Sequence, residues 1–235
     1  MPCRVTGAVQ AATDRYLAAL TSEELVLHYQ PKVDLDTGEV NSVEALVRWN
    51  HPTRGLLYPG AFLTLVEESG LMPSLTLVVL AQALDQVADW HREGHPLTVA
   101  VNISASSLVD ADLPNQVTSM LAARGVLPSS LQLEITEGFL MVNRELAHVI
   151  LTSLRNIGVR ISVDDFGTGY SSLAYLRDLP IDEIKLDNSF VIPMTHDART
   201  AALVSSTIEL AHSLGLRIVA EGVETAGTYT ELTRM

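Results

Sequence analysis

Six polar side chains lie inside or directly after short apolar runs of the sequence: Asn102, Glu134, Asp164, Asp165, Lys185 and Glu221. Asn102 and Glu134 are separated by 32 residues, and Glu134 and Asp164 by 30. A barrel of eight strand–helix units uses about 31 residues for each unit. One polar strand end would indicate only contact with water, but six in register favour a shared site. We predict that they meet at the carboxyl ends of parallel strands, where such barrels carry their chemistry.

The ligand chemistry of this group indicates a hard metal ion. Four of the six side chains are carboxylates and one is an amide, and such oxygen donors suit Mg²⁺ or Mn²⁺ better than zinc. Several carboxylates in one cleft also need cations to offset their repulsion. The adjacent Asp164 and Asp165 could serve two ions, an arrangement suited to in-line displacement at phosphorus. Lys185 would then hold the attacking water or a phosphate oxygen, or instead form a salt bridge to the same carboxylates.

The positions of these residues depend on seven strand-like apolar runs that alternate with helical patterns. The runs are 26–29, 43–47, 97–101, 131–135, 159–163, 183–186 and 216–220. Helical spacing, as at Leu77, Leu80 and Leu84, lies between them. This alternation predicts a mostly parallel sheet. The turn signal at residues 36–39 predicts that the first two strands form an antiparallel hairpin.

The amino-acid composition excludes several classes of protein. The chain has 235 residues, of which 47% are hydrophobic and 18% charged, and this predicts a folded domain with a large core. The net charge of −13 argues against a nucleic acid polymer or an anionic membrane surface as partner. The single cysteine, Cys3, excludes a disulfide framework and a thiolate metal cage. No apolar run reaches the ~20 residues of a membrane span, so we expect a cytoplasmic protein without direct membrane insertion.

A series of motifs, in order along the chain, is similar to that of one known family. The motifs are Tyr29-Gln30-Pro31, Glu44-Ala45-Leu46-Val47-Arg48-Trp49, Asn50-His51-Pro52, Val101-Asn102-Ile103-Ser104, Leu133-Glu134-Ile135-Thr136-Glu137, the run 164–173 beginning Asp164-Asp165-Phe166-Gly167, Ile184-Lys185-Leu186-Asp187 and Ala220-Glu221-Gly222-Val223-Glu224-Thr225. The sequence therefore resembles the EAL-domain family of bacterial cyclic di-GMP phosphodiesterases. The resemblance implies a TIM-like (β/α)8 barrel with one antiparallel strand. It also implies hydrolysis of cyclic di-GMP to linear pGpG.

The resemblance further implies roles for individual residues. The ligands of two Mg²⁺ or Mn²⁺ ions would be Glu44, Asn102, Glu134, Asp164, Asp165 and Glu221. The catalytic set would be Glu44, Lys185 and Glu221, with Lys185 orienting the nucleophilic water and Glu221 completing the metal site or acting as base. Arg48 would bind a substrate phosphate, Gln30 would line a guanine pocket, and Asp187 would also contact substrate. Glu137 would anchor the loop 165–173, through which the family implies a homodimer contact.

The chain departs from the family pattern at its carboxyl end. After residues 220–225 the family has a helix, an eighth strand containing Gln-Gly-Tyr and a last helix, whereas residues 225–235 can supply only a helix. We therefore expect an EAL phosphodiesterase domain at 21–235 that is truncated at its C-terminus and lacks the eighth βα unit. Residues 1–20 are expected to be an extension or linker. The family also implies fusion to a sensor or cyclase domain, which could tether the protein to a membrane.

Two functional hypotheses remain open at this stage. Every metal-ligand position before the missing strand holds the residue that the family pattern requires, which favours a metal-dependent phosphodiesterase. The missing strand instead favours a catalytically weak or inactive module that binds cyclic di-GMP or a protein partner as a sensor.

Overall fold

The computed structural model describes residues 7–140, 144–168 and 173–235. Its strands are β1 Leu25–Val33, β2 Val40–His51, β3 Gly55–Leu57, β4 Thr98–Asn102, β5 Leu131–Thr136, β6 Arg160–Phe166, β7 Glu183–Leu186 and β8 Arg217–Ala220. Its helices are α1 Gly7–Leu20, α2 Leu63–Glu68, α3 Met72–Arg92, α4 Leu113–Arg124, α5 Glu137–Leu140, α6 Arg144–Ile157, α7 Leu173–Asp178, α8 Asn188–Val191, α9 Ala198–Ser213 and α10 Ala226–Thr233.

The strands form one sheet in the order β1-β2-β4-β5-β6-β7-β8, and β3 pairs with β2. β1 and β2 are antiparallel, and the ladders that run from β2 to β8 are parallel. The seven predicted strands and the antiparallel hairpin are therefore confirmed. The short strand β3, antiparallel to the end of β2, is not predicted by the sequence. The hairpin turn is closed by Asp34, whose Oδ1 accepts the N–H of Thr37 at 2.8 Å.

The sheet curls so that strands far apart in its order meet on its inner face. Lys32 Nζ on β1 lies 3.3 Å from Glu183 Oε1 on β7, and Lys185 Nζ on β7 lies 3.1 Å from Glu44 Oε2 on β2. Within the described residues β1 and β8 do not pair, so hydrogen bonds do not close the curl into a complete barrel. The predicted fold class, a TIM-like barrel that lacks full closure, is confirmed.

Each strand presents one face to the helices and the other to the interior of the curled sheet, because successive side chains alternate. On β5, Leu131, Leu133 and Ile135 are buried in the apolar core. Gln132 and Glu134 lie on the opposite face, where they contact charged side chains. The apolar core therefore lies between the sheet and the helices, and the interior of the curl is left to polar groups.

The helices α4, α6 and α9 end at or just before a glycine. α4 ends at Arg124, and its capping residue Gly125 has a φ of 63°, a left-handed conformation that glycine adopts without strain. Gly158 directly follows α6, and Gly215 lies two residues beyond α9. These helix ends set the short connections that lead into β5, β6 and β8.

Residues 7–20, within the segment expected to be an extension or linker, form α1. Tyr16 of α1 is buried, and its ring packs edge-on to that of Trp49 with 5.5 Å between the centroids. α1 therefore packs on the same core as β2, and the domain boundary at residue 21 stays a prediction. The described helices include none that is long and apolar enough to cross a membrane.

Candidate active site

Lys185 lies inside a ring of carboxylates at the carboxyl ends of the strands. Its Nζ is 3.0 Å from Glu134 Oε2 and 3.1 Å from Asp164 Oδ1. The same nitrogen is 3.1 Å from Glu44 Oε2 and 2.7 Å from Glu221 Oε1. These acids come from β2, β5, β6 and the residue that follows β8. The structure thus gathers four of the predicted site carboxylates around one ammonium group.

The strand register explains this convergence. In the parallel ladders Asn102 pairs with Glu134, and Thr136 pairs with Asp164. Residues two apart on a strand share a face, so these side chains occupy neighbouring heights on the inner face. Asn102 Nδ2 also donates to Glu44 Oε1 at 2.8 Å. A separation of about one βα unit in the sequence thereby becomes contact in space.

Asp164 and Asp165 both face the site, although neighbouring strand residues normally point to opposite faces. The β6–β7 register shifts between Val163 and Phe166, and Asp165 has a φ of 55°. Aspartate tolerates this left-handed conformation better than most residues, and the Asp165 N–H donates to Asp164 Oδ1 at 3.0 Å. This irregularity directs two adjacent carboxylates to one place.

The acidic group of Asp164, Asp165 and Glu221 can hold a metal ion. One oxygen from each residue lies within 4.8 Å of the other two. Burial raises the pKa of Asp165 and of Glu221, and the negative charge of Asp164 adds to both shifts. The neighbouring ammonium of Lys185 shows that the surroundings favour positive charge. These carboxylate oxygens are the donors that hard divalent cations prefer, so the residues fit such an ion.

Burial and the oppositely charged neighbours shift the pKa values of Glu134, Lys185 and Glu44 in opposite directions. Burial raises the pKa of Glu134 to about 7, although the ammonium groups of Lys185 and Lys32 oppose the rise. Burial would lower the pKa of Lys185, but the attraction of Glu134 and Glu44 outweighs it and raises that pKa. Burial would raise the pKa of Glu44, yet the charge and hydrogen bond of Lys185 lower it overall. Lys185 therefore stays charged at neutral pH, where Glu134 titrates.

Glu221 is fixed at the end of β8 by a tight turn. Its N–H donates to Leu186 O at 3.1 Å, which extends the pairing of β8 with β7. The next residue, Gly222, has a φ of 71°, and a Cβ at this position would lie 2.7 Å from Cβ of Asn188 on α8. Such a distance is too short for any side chain, so the turn requires glycine.

The predicted substrate-binding residues Gln30 and Arg48 lie on β1 and β2. Gln30 pairs with Glu44 across the antiparallel ladder and is exposed. The Arg48 guanidinium lies over the ring of Tyr58, 4.8 Å from its centroid, and donates to Val47 O at 2.9 Å. Arg48 Nε is buried and has no hydrogen-bond partner among the described atoms. Arg48 therefore retains one buried N–H without a partner beside a ring that could stack on a base.

Two other predicted residues bind backbone groups. Asp187 caps α8 and accepts the N–H of Ser189 at 3.1 Å. Glu137 is buried, and its Oε2 accepts the Gly167 N–H at 2.9 Å. Glu137 thus contacts the loop that it is predicted to anchor. Residues 169–172 of that loop, and with them part of the predicted dimer contact, lie outside the described residues.

The sequence reasoning missed a second charged layer inside the sheet. Lys32 Nζ lies 2.7 Å from Glu134 Oε1 and 3.3 Å from Glu183 Oε1. Gln132 and Ser162 donate to the same oxygen of Glu183, at 2.5 and 3.1 Å. Strand alternation could have revealed Gln132, Ser162 and Glu183, since each lies two positions before a predicted site residue. The sequence does not show that Lys32 would turn inward.

Comparison with known proteins identifies the family. Residues 13–235 match the family model described as the EAL domain. The chain is 46% identical over 218 residues to the bifunctional diguanylate cyclase/cyclic di-GMP phosphodiesterase MucR of Pseudomonas aeruginosa, covering 92% of this chain and 32% of that protein. It is 42% identical over 216 residues to the cyclic di-GMP phosphodiesterase PdeR of Escherichia coli K12, with the same two coverages. The chain thus spans about a third of the length of these curated relatives.

Solved structures agree with this assignment. A structure described as the PaMucR phosphodiesterase in complex with c-di-GMP is 44% identical and superposes with a TM-score of 0.90, covering 95% of this chain and 91% of that one. The FimX EAL domain of Xanthomonas citri, in complex with c-diGMP, is 22% identical and also gives a TM-score of 0.90, over 97% and 88% of the two chains. At that identity the second likeness supports the fold alone. The chain belongs to the EAL domain family.

Proposed function

We propose that this chain is a metal-dependent phosphodiesterase domain that hydrolyses cyclic di-GMP to linear pGpG. The observation that carries the proposal is the convergence of four carboxylates on Lys185, beside an acidic group that fits a cation. Relatives named as cyclic di-GMP phosphodiesterases, at 42–46% identity, support the choice of substrate. In the reaction a water oxygen joins one phosphorus, one phosphodiester P–O bond breaks, and the released 3′ oxygen takes a proton.

The cation-holding residues would be Glu44, Asn102, Glu134, Asp164, Asp165 and Glu221. Their oxygen donors suit two Mg²⁺ or Mn²⁺ ions. Bound there, such ions would supply Lewis-acid stabilisation of the negative charge that develops on the phosphate. The irregular strand at Asp164 and Asp165 supports a site for two ions, because it turns adjacent carboxylates to the same side.

Lys185 would orient the reacting groups rather than move a proton. Its raised pKa keeps it a donor at neutral pH, with three N–H groups on one nitrogen. Where its carboxylate partners are shared with a cation, Lys185 has N–H groups free to hold a water molecule or a phosphate oxygen. Glu221 would be the base, since burial raises its pKa and 28% of its side chain remains exposed.

Substrate would lie across the ends of β1 and β2. Arg48 would bind a phosphate, because its guanidinium forms strong charge-assisted hydrogen bonds to such groups. Gln30, exposed and opposite Glu44, would contact a guanine base. Asp187 would contact substrate from the start of α8, where its carboxylate already binds Ser189.

The proposal also covers the location of the protein, its oligomeric state and the domains attached to it. The acidic chain would act on a soluble nucleotide in the cytoplasm, without inserting into a membrane. It would form a homodimer through the loop 165–173, which Glu137 ties to the end of β5. The relatives named above are about three times as long as this chain, which supports its attachment to sensor or cyclase domains.

The test is the formation of pGpG from cyclic di-GMP, followed by chromatography, with Mg²⁺ or Mn²⁺ and with a chelator. We expect product only with the metal, and a loss of more than about 100-fold in Glu221→Gln, beyond the upper range for residues that only support a ligand. Glu224→Gln is the matched control, since it makes the same change at an exposed position three residues later. The absence of pGpG in wild type, or full activity in Glu221→Gln, would contradict the proposal.

A second candidate function is a sensor that binds cyclic di-GMP or a protein partner without turnover. The observation that favours it is the missing pairing between β1 and β8 in the described part of the chain. Calorimetry with cyclic di-GMP separates the two functions. A sensor gives a binding signal with unchanged nucleotide after prolonged incubation in Mg²⁺, whereas an enzyme gives pGpG.

A further inference from the structure

A lysine lies inside the curled sheet, below the ring of carboxylates. Lys32 reaches inward from β1, and its side chain is only 13% exposed. It contacts Glu134 of β5 and Glu183 of β7, whose side chains are 0% and 5% exposed. Three charged groups from three strands therefore share a space that is nearly closed to water.

Stability does not account for this buried charge. Taking an ammonium and two carboxylates out of water costs several kcal/mol for each ion, and apolar residues of similar size often replace buried ion pairs without loss. The opposite face of β5 is filled by such residues, among them Leu133. A charged trio at this position therefore calls for a role that apolar packing cannot fill.

The contacts of Glu134 indicate what that role is. Its Oε1 lies 2.7 Å from Lys32 Nζ, and its Oε2 lies 3.0 Å from Lys185 Nζ. The terminal torsion of a glutamate is soft, so a free carboxylate would rotate and offer either oxygen or both. Lys32 holds one oxygen below the site and leaves the other directed to the carboxylate ring.

Glu183 in turn holds Lys32. Its Oε1 accepts hydrogen bonds from Gln132 and Ser162, and its Oε2 lies 3.4 Å from a guanidinium nitrogen of Arg217. These three groups belong to β5, β6 and β8. Glu183 is thereby fixed on three strands and gives Lys32 a rigid anchor.

We infer that Lys32, anchored by Glu183, is a positioning residue that makes Glu134 present a single oxygen, Oε2, to a divalent cation in the site. The inference rests on the proposed function for the identity of the reaction, and it concerns the binding of the cation directly. Residues that orient a metal ligand in this way typically change metal affinity or activity by 10–100-fold when they are replaced.

The experiment measures Mn²⁺ binding to the protein by electron paramagnetic resonance of the free ion, without substrate. Lys32→Met keeps most of the length of the side chain and removes its charge and its N–H groups. We expect its Mn²⁺ dissociation constant to rise by about 10-fold or more, with Lys32→Arg, which restores a charged donor, recovering most of the loss. In turnover at saturating Mn²⁺, the KM for cyclic di-GMP should change by less than about 3-fold, since Lys32 lies below the metal ligands.

Two further variants keep the result interpretable. Glu183→Gln should weaken Mn²⁺ binding in the same direction, because it loosens the anchor of Lys32, and it decides the question if Lys32→Met fails to fold by circular dichroism. Arg155→Met is the matched control, since Arg155 pairs with Asp182, the neighbour of Glu183, and this ion pair includes none of Lys32, Glu134 and Glu183. It should leave Mn²⁺ binding within about 2-fold of wild type.

Unchanged or tighter Mn²⁺ binding in Lys32→Met would overturn the inference, as would an equal loss in Arg155→Met. These outcomes are separate from those of the proposed function. A wild-type protein that binds Mn²⁺ but forms no pGpG contradicts the phosphodiesterase proposal and leaves the comparison of Lys32 variants valid.

Discussion

The two faces of β5 are equally buried and chemically opposite. Leu133 and Glu134 are adjacent, and both are 0% exposed. Leu133 packs among apolar side chains between the sheet and the helices, where burial itself stabilises the fold. Glu134 faces the interior of the curled sheet, where the ammonium groups of Lys32 and Lys185 offset the cost of burying its carboxylate. In this fold, burial on one face of a strand packs apolar side chains, and burial on the other face holds charged groups in contact with one another.

The largest expected effect comes from a substitution in the ring of carboxylates around Lys185, on the inner face of the sheet. Glu44→Ala should lower kcat for cyclic di-GMP by more than about 1,000-fold, beyond the 10–100-fold loss for residues that only support a ligand. Substrate binding through Arg48 should survive in part, and calorimetry measures it. The melting temperature should change little, because Lys185 keeps three other carboxylates. Retention of most of the activity would show that Glu44 is not a ligand.

A substitution on the apolar face of β5 should instead lower the stability of the fold and leave kcat unchanged. Leu133→Ala removes a fully buried side chain and should lower the free energy of unfolding by about 2–5 kcal/mol, measured by urea denaturation. The kcat of the folded fraction should stay near the wild-type value. Val149→Ala, at a position that is 61% exposed on α6, is the control and should change stability by less than about 0.5 kcal/mol. A kcat lost in proportion with stability would mean that the two faces are not separable.

A smaller effect should follow from removing Arg48 at the edge of the inner face. Arg48→Ala deletes a charge-assisted contact worth about 1.5–3 kcal/mol, so the dissociation constant for cyclic di-GMP should rise by roughly 10- to 100-fold. The kcat at saturating substrate should change less than the affinity. Calorimetry with the substrate in the absence of metal gives the affinity, with Arg54→Ala, an exposed arginine of the following turn, as the control. Equal affinity in the two variants would remove Arg48 from the substrate site.

The pH dependence of the free energy of unfolding should also distinguish the polar face of β5 from its apolar face. In metal-free protein Glu134, with a pKa raised by burial to about 7, keeps its proton at pH values where the unfolded chain has lost it. The native state then binds more protons than the unfolded state, so stability falls as the pH rises from about 4.5 to 7. Relative to Glu134→Gln, which stays neutral, wild type should lose ~1–3 kcal/mol over this range. Thermal melting in chelator tests this, and parallel curves for the two proteins would contradict it.

Much of the fold could be predicted from the sequence, because the apolar face of each strand and the alternating helices leave clear patterns. The hairpin of β1 and β2 followed from the turn at 36–39, and the parallel strands from the repeating units. β3 escaped prediction because Gly55–Leu57 is a three-residue strand, too short to show alternation. Its pairing with β2 is decided by the turn after His51 rather than by its own composition.

Some residues of the candidate site could be predicted from the sequence, and others could not. Polar residues at strand ends could be aligned by spacing, and the structure does bring Glu44, Asn102 and Glu134 together. The inward direction of Lys32 could not be predicted, because lysine normally keeps its ammonium in water. The position of Arg48 over Tyr58 also depends on a ring ten residues away. Both side-chain positions depend on contacts between separate strands and loops, and no local sequence pattern shows such contacts.

The turn at Gly222 has a consequence for reading sequence variation in this domain. The glycine takes no part in chemistry, but a Cβ there would collide with Asn188, and Glu221 would be displaced with the turn. In a saturation mutagenesis screen scored on phosphodiesterase activity, every substitution at position 222 should therefore be depleted as strongly as those at Glu221. The two positions differ only in a screen for folded protein, where Glu221 variants persist and Gly222 variants do not. Intolerance to substitution in the activity screen alone would suggest that Gly222 belongs to the active site, whereas the loss of folded protein would show that it acts through the backbone of the turn that follows Glu221.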